Sequence, residues 1–575
     1  MNEKQITDRV EGGRVEPGIT DRPADHNGSA FAAPPVAVAR PRKMRWWMPI
    51  SIVLLMGALI AYIQFSGLLP ADGSIRRFAF PGDAAIQWFA TQAACVLTVV
   101  LLAAWYLLFT GLWWRTRLML IGLSFMLVVG FLVAVKMDGA SGNMNFRWRF
   151  RWLPPADAAL PKLPEGDVKT ARDTTIHPGD FPQYLGPNRD AVVHGVSLDH
   201  DWAAHPPRQV WRQPIGAGWS AFAVAGDLAV TQEQRGADEL IVARDRATGE
   251  PVWSHGNKVR FSEVMGGDGP RATPTIAAGK VYALGATGIL DCLEAATGKP
   301  LWSQDTLKDS GEGNIEWGKS CSPLVIDDLG LVVVSLGGGG DGGSLAAYDI
   351  AKGERKWTAG KDKSSYASPM LATLAGRRQI VMVNAATVTG HNPADGKILW
   401  EFAWQTAPAK ASQPPVLPDD RLLLTAGYGV PGVMLHVKRD GETWTTEEDW
   451  STQRMRTKFT TPVVRDHYAY GLDDGVLACI DLDDEGKLMW QARSEGFGHG
   501  QVLLVNDVLI VQGEKGDVAL VEANPSGYHK LGILPALSSK TWNNPVLAGN
   551  HLFLRNDQEA ACYVVPTEEA LDIQW

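Results

Sequence analysis

The sequence predicts an all-β protein, an eight-bladed β-propeller of four-stranded blades, preceded by three transmembrane α-helices. Three observations predict it. One hairpin recurs: "ARDRATGEPVW" (243–253), "CLEAATGKPLW" (292–302), "AYDIAKGERKW" (347–357), "GHNPADGKILW" (390–400) and "CIDLDDEGKLMW" (479–490). Glycine (60 residues) and Trp (22 residues) are abundant, the composition of tight turns between aromatic strands. Three long apolar runs stand before the repeats.

Residues 1–45 are polar, rich in Pro, Gly and Ala, and lack apolar periodicity, as a disordered tail does. The membrane anchor follows at 46–136. Uncharged runs cover Trp46 to Leu68 and Ile86 to Trp114, and a third covers Leu118 to Val135. Each reaches the roughly 18–20 apolar residues that cross a bilayer. The pairs Trp46–Trp47 and Trp113–Trp114 stand where an aromatic belt belongs. The first run begins too far from Met1, and is too long, for a cleaved signal peptide.

Arg40, Arg42, Lys43, Arg45, Arg115 and Arg117 fall on one side of these spans. Arg76, Arg77, Lys136, Arg147, Arg149 and Arg151 fall on the other, an equal count. The first span breaks the tie, four charges against two, because the first helix usually sets orientation. The tail is therefore expected in the cytoplasm and the C-terminal domain outside it. Residues 137–180 include "LPPADAALPKLPEGD" and read as an extended Pro-rich linker.

The propeller is expected over 181–575. Repeat units begin near 226, 279, 329, 377, 420, 466, 506 and 549. Each brings two strands, a turn with Gly, and an outer strand, with degenerate turns in the fifth and seventh units. Most inner strands follow a Pro: "ATP" (272–274), "CSP" (321–323), "ASP" (367–369), "TTP" (460–462), "NNP" (543–545). Trp211, Trp253, Trp302, Trp357, Trp400 and Trp490 close outer strands and are expected to pack between blades. The eighth unit, "GNHLFLRNDQEAACYVV", lacks an outer strand. The early stretch "PRQVWRQPIG" (207–216) is a spare one, and its pairing there would close the ring and remove an open edge.

Composition excludes some functions. A net charge of −9 and a pI near 5.8 lack the basic footprint of a nucleic-acid binder. The five cysteines form no C-x-x-C-H, so no covalent haem site. Cys292, Cys479 and Cys562 recur at one place in the repeat and read as small buried hydrophobes. "GNIEWGKS" (313–320) spells a phosphate loop, but a strand follows it where a helix is required. "GGGGDGG" (337–343) reads as a wide hairpin turn.

The repeat, clearest in "CLEAATGKPLW", resembles that of quinoprotein-type propellers, some of which bind pyrroloquinoline quinone (PQQ). The lead-in "FPQYLGPNRDAVV" (181–193) is similar to one common in PQQ-like propellers of bacterial membrane and secreted proteins. The resemblance covers about 181–575 and implies the fold. It includes BamB-like propellers of the outer-membrane barrel assembly machine and membrane-bound dehydrogenases with N-terminal spans. The chain departs from both: it has no vicinal Cys-Cys pair beside a quinone, and its only early cysteine, Cys95, lies in a span rather than at a lipidated N-terminus.

Residues just before or at the inner strands are the candidates for the channel mouth. They are Trp219, Ser220, Glu263, Arg271, Trp317, Ser320, Tyr366, Gln413, Lys458, His499, Trp542 and Asn543. Cations there would meet the carboxylates of a flat anionic quinone, an indole would stack on it, and amides would bond its carbonyls. Two functions are carried forward. One is a membrane-anchored binding or scaffolding propeller without chemistry, partnered by the lipid bilayer and a protein. The other, implied by the resemblance, is a PQQ- and Ca2+-dependent dehydrogenase of alcohols or sugars that passes electrons to membrane quinone, with Glu263 as base. Either is expected at a bacterial inner membrane, with the propeller in the periplasm.

Overall fold

A computed structural model describes residues 45–65, 84–142, 144, 146–165, 172–337, 342–407 and 409–568. The tail before Arg45, the loop holding Arg76 and Arg77, and the centre of "GGGGDGG" lie outside the described residues. Helices α1 (Trp47–Phe65), α2 (Ala84–Phe109) and α3 (Trp114–Ala134) are each long and apolar enough to cross a membrane. None has an acidic residue in its first turn or a basic residue in its last.

Eight four-stranded antiparallel sheets follow, numbered here as blades 1 to 8. Blade 1 runs from Ala223 to Asn257, blade 2 from Thr275 to Asp305 and blade 3 from Leu324 to Ala359. Blade 4 covers Met370 to Ala403, blade 5 Val416 to Thr452 and blade 6 Val463 to Gln491. Blade 7 covers Gln501 to Leu534, with Val192–Val193 added in parallel. Blade 8 is built from Val546–Ala548, His551–Arg555 and Glu559–Val564, closed by Arg208–Pro214. The early strand is thus the clasp of the ring. Buried Arg555 reinforces that joint by donating to Gln232 O (2.7 Å) and Gly216 O (3.1 Å) on the blade 1 side.

The repeated Trp explains the repeated hairpin. Trp211, Trp253, Trp302 and Trp490 each donate the indole N–H to a carbonyl of the next blade, at Arg246 (3.0 Å), Ala295 (2.9 Å), Ile350 (3.2 Å) and Asn524 (2.8 Å). Opposite each on its own sheet stands a small residue: Cys562, Ala243, Cys292 and Cys479. The indole needs that space to lie across the strand. This gives the three recurrent cysteines a packing role, and burial pushes each thiol up to about 12. The turn glycine of the next blade completes the joint. Gly298 has φ +74°, and a Cβ there would stand 2.6 Å from Trp253 Cδ2.

Two of the expected inter-blade Trp residues differ in detail. Trp357 packs under Gly396 of blade 4, but its indole N–H has no acceptor among the described residues. Trp400 lies over Gly390, where a Cβ would overlap it, and its indole donates within blade 4 to Gln379. Trp404 takes over the bond to the next blade, donating to Pro431 O at 3.2 Å.

The described parts of 137–180 do not run free. Val135–Ala140 and Phe146–Phe150 pair as a hairpin that continues directly from α3. The Pro-rich part then lies along blade 1. Pro164 O accepts both the backbone N–H and the hydroxyl of Ser254 at 2.8 Å, and Asp157 accepts from Gly236 N at 2.8 Å. A Pro-rich strand still offers carbonyls, and here they cover the edge of an outer strand. The lead-in 181–193 is bonded to several blades in turn. Phe181 bridges to Val224 of blade 1, buried Arg189 donates to Ser322 O (2.9 Å) and Pro323 O (3.0 Å), and Val192 reaches blade 7. Burial holds the Arg189 guanidinium down to about 10.

Candidate functional site

The loops that enter the inner strands form the mouth of the channel, and their polar residues divide into two sets. The first set builds a girdle. Ala221 N donates to Thr273 Oγ1 (3.2 Å), Thr273 N to Ser322 Oγ (2.9 Å), and Ser322 N to Ser368 Oγ (2.9 Å). Ser368 N donates to Gln413 Oε1 (2.9 Å) and Gln413 N to Thr461 Oγ1 (3.1 Å). Thr460 Oγ1 to Gly500 O (2.7 Å), Gln501 Nε2 to Trp542 O (2.9 Å) and Asn543 Nδ2 to Ser220 O (2.8 Å) close the circle. Each blade is thereby bonded to the next around the channel.

Four sequence candidates therefore act as braces. Gln413, Asn543 and Ser220 are fully buried in the girdle, and Ser320 Oγ donates to Tyr366 O at 2.8 Å. Lys458 pairs with Asp474 of its own blade at 2.7 Å. Buried Lys319, of the phosphate-loop spelling, donates to Ser335 O at 3.1 Å, and the strand Leu324–Ile326 follows it. That context holds a lysine in the fold and cradles no phosphate.

The second set converges. The rings of Trp219 and Trp542 lie 4.9 Å apart, and Phe459 packs 5.0 Å from Trp542. The Lys540 ammonium sits over both indoles, 4.6 Å from Trp219 and 3.9 Å from Trp542. Trp542 Nε1 donates to Glu514 Oε1 at 2.9 Å. Trp219 Nε1 donates to Gly266 O at 2.6 Å, which joins this half of the mouth to the other. There Glu263 accepts from Gly266 N at 2.5 Å, and Arg271 donates to Gly267 O at 2.6 Å while lying 4.4 Å over Phe261. Trp317 stacks on Tyr366 at 5.3 Å, and its buried indole N–H meets no acceptor among the described residues.

Burial dominates the electrostatics. It brings the Lys540 ammonium down to about 8 and the Arg271 guanidinium to about 10, and it raises the Tyr366 phenol. Lys540, Glu514 and Phe459 were not among the sequence candidates. Lys540 precedes Pro545 by one position more than Lys319, Lys410 and Lys458 precede their prolines, so the repeat hides it.

The mouth is covered by the chain itself. Gly142 at the hairpin tip donates its N–H to Glu514 Oε1 at 2.5 Å, and Lys540 Nζ donates to Ala140 O at 2.8 Å. Arg147 reaches Asp557 of blade 8 at 3.4 Å. Gly142 lies so close to His499 that a Cβ would overlap the imidazole. Beside the tip a cavity of about 640 Å³ opens between Ser141, Asp474, Phe497, Glu514, Ser539 and Lys540.

This mouth matches half of what a PQQ site needs. Two partly desolvated cations, two indoles and an unpaired indole donor suit a flat anion. Among the described residues no three His, Cys, Asp or Glu side chains group to hold a metal, although calcium also takes backbone and amide carbonyls. No catalytic step is derived through a quinone–calcium pair.

Fold and mouth together define an eight-bladed PQQ-like propeller joined to three membrane-capable helices. Residues 237–485 match the family model described as outer membrane protein assembly factor BamB, so the propeller is BamB-like. The chain is 32% identical over 173 residues to the assembly factor BamB of Burkholderia pseudomallei, covering 28% of this chain and 40% of that protein. It is 25% identical over 335 residues to BamB of Shewanella oneidensis, covering 48% of this chain and 79% of that one. The first match thus spans less than half of its relative. Among solved structures, a europium-containing methanol dehydrogenase aligns with a TM-score of 0.50 at 12% identity, over 66% of this chain and 90% of that one. That likeness concerns the fold.

Proposed function

We propose that the protein is a membrane-anchored binding or scaffolding propeller, held at the inner membrane by α1–α3 with its blades on the periplasmic side. The observation that carries this reading is the covered mouth. The face where propellers commonly take a small substrate is already engaged by Ala140 and Gly142 of the same chain. The match to BamB, described as an assembly factor, supports a protein partner on the remaining blade surface. The three helices support the anchor, and the charge before α1 supports the outward placement.

One observation favours the second reading, a PQQ-dependent dehydrogenase: Arg271, Lys540 and the three mouth Trp residues suit an anionic quinone. Purified protein mixed with PQQ and Ca2+ separates the two. The scaffold reading expects neither quinone absorbance on the protein nor dye reduction with alcohols or sugars. Stoichiometric quinone with substrate-dependent reduction would replace it by the dehydrogenase. An alkaline phosphatase fused after Trp575 should be active; silence there, with a cytoplasmic reporter active, would reverse the orientation.

A further inference from the structure

The hairpin that covers the mouth has a second face whose large apolar side chains are exposed. Its strand Phe146–Phe150 and the residues after it read Phe-Arg-Trp-Arg-Phe-Arg-Trp. Side chains alternate along a strand, so Arg147 and Arg149 share one side and Trp148 and Phe150 the other. The register puts Met137 opposite Trp148 on the same side. The arginine side is spent within the protein: Arg149 pairs with Asp138 at 2.8 Å and Arg147 with Asp557 at 3.4 Å. The aromatic side is bare. Trp148 is 48% exposed, Phe150 46% and Trp152 67%, with Met137 and Leu153 exposed beside them.

This face continues the apolar surface of the helices. Val135 follows Ala134 of α3 directly, and Arg151 N donates to Ala134 O at 2.9 Å. Phe131 of α3 stands 6.2 Å from Trp148, and Trp88 at the start of α2 stands 5.0 Å from Phe146. The end of α3 and the start of α2 therefore meet the hairpin on one side of the helical layer. No residue of α3 is buried. Aromatic rings interleaved with arginines, next to a helix end, are the side chains that settle at a boundary between hydrocarbon and water.

We propose that the aromatic face of residues 135–153 seats in the headgroup region of the bilayer and holds the mouth of the propeller against the membrane surface. The proposal rests on the reading that α1–α3 span the membrane. It makes the hairpin a two-sided joint, with Gly142 in the mouth and Trp148, Phe150 and Trp152 in lipid. Whatever reaches Lys540 and Arg271 would then approach along the membrane surface.

The test uses the full chain in phosphatidylcholine–phosphatidylglycerol nanodiscs. Cys95 is the only exposed cysteine among the described residues, so Cys95→Ser leaves a quiet background for one nitroxide label. Labels go at Phe150→Cys, at Trp152→Cys, at Phe125→Cys within α3, and at Ile533→Cys on the outer strand of blade 7. Collision with oxygen and with a water-soluble nickel chelate gives depth. The expected order of oxygen over nickel accessibility is 125 deepest, 150 and 152 intermediate, and 533 aqueous, with 150 at least threefold above 533. A ratio at both 150 and 152 equal to that at 533, with 125 deep, would overturn the proposal while keeping the spans. Shielding of both labels from both reagents would mean that a second copy or another protein covers the face, and would also overturn it. An aqueous ratio at 125 would overturn the spanning reading and the proposal together.

Discussion

The joint between blades 1 and 2 gives the most demanding test of the architecture. Trp253 is 0% exposed, donates to Ala295 O at 2.9 Å and lies under Gly298. Trp253→Ala removes a buried indole, which costs about 3–5 kcal/mol as large-to-small core changes do. It also strands the Ala295 carbonyl, for about 1 kcal/mol more. Trp302, half-buried in the next joint, should cost visibly less. Gly298→Ala acts by two routes. Its left-handed φ of +74° costs an alanine about 1–2 kcal/mol, and the new Cβ would press to 2.6 Å from the indole. Only the second route needs Trp253. In the double variant the steric part should vanish, leaving a coupling of about 1–3 kcal/mol. Guanidinium unfolding of the four proteins, followed by the β-sheet signal, measures the cycle. Additivity within about 0.5 kcal/mol would mean that the glycine and the indole do not bear on each other, and would refute this account of the repeat.

Other consequences are quicker to check. A chain beginning at Asp180 should fold as a cooperative soluble domain, whereas one beginning at Ala221 lacks the clasp Arg208–Pro214 and should aggregate or melt much lower; equal melting would mean that the ring closes otherwise. Ser322→Ala leaves the buried Thr273 N–H without its acceptor and should cost about 1–3 kcal/mol, read from the denaturant midpoint, and no loss would remove the girdle's role. Burial holds the Lys410 ammonium down to about 8, below its unfolded value, so the unfolded state binds the extra proton between about pH 8 and 10.4. The native state therefore gains stability as pH rises through that window, by up to about 1.4 kcal/mol per pH unit for this group. Lys410→Met abolishes the gain, so parent minus variant stability should climb from pH 8 to 10, and a constant difference would contradict the burial.

Much of the ring was legible because its period is long and its punctuation strong. The Gly turn, the closing Trp and the orphan strand at 207–216 each have one physical use, so eight blades and the clasp follow from counting. The mouth was harder. Gln413, Ser320 and Asn543 are the residue types a ligand would want, yet the same side chains satisfy backbone N–H and C=O groups of adjacent blades. Which use holds depends on where a neighbouring blade places its backbone, and a sequence repeat does not display that. Trp400 was missed as an exception because its freedom to turn inward comes from Gly390, on another strand. The hairpin was hidden by its surroundings. The alternation at 146–152 is a plain strand signal, but it lies between an apolar helix and a Pro-rich run that both draw the eye to other structures.

The covered mouth can be opened with one methyl group. Gly142 sits against His499, which is itself buried between Phe459 and the turn at Glu514 and so has little room to retreat. Gly142→Ala would drive a Cβ into the imidazole, and the tip must lift instead. Lifting it releases the bond from Gly142 N to Glu514 and the bond from Lys540 to Ala140 O, so Glu514 and Lys540 become available to solvent together. The blades keep their own joints, because the girdle and the Trp contacts do not involve residue 142. The expected result is an unchanged propeller melting transition with faster tryptic cleavage after Arg147 and Arg149. If PQQ or another planar dianion binds the variant and not the parent, the tip and the ligand compete for one set of groups, and the scaffold reading gives way to a gated binding site. If cleavage stays as slow as in the parent, the hairpin is held elsewhere, and the contacts at Glu514 and Lys540 are not what closes the mouth.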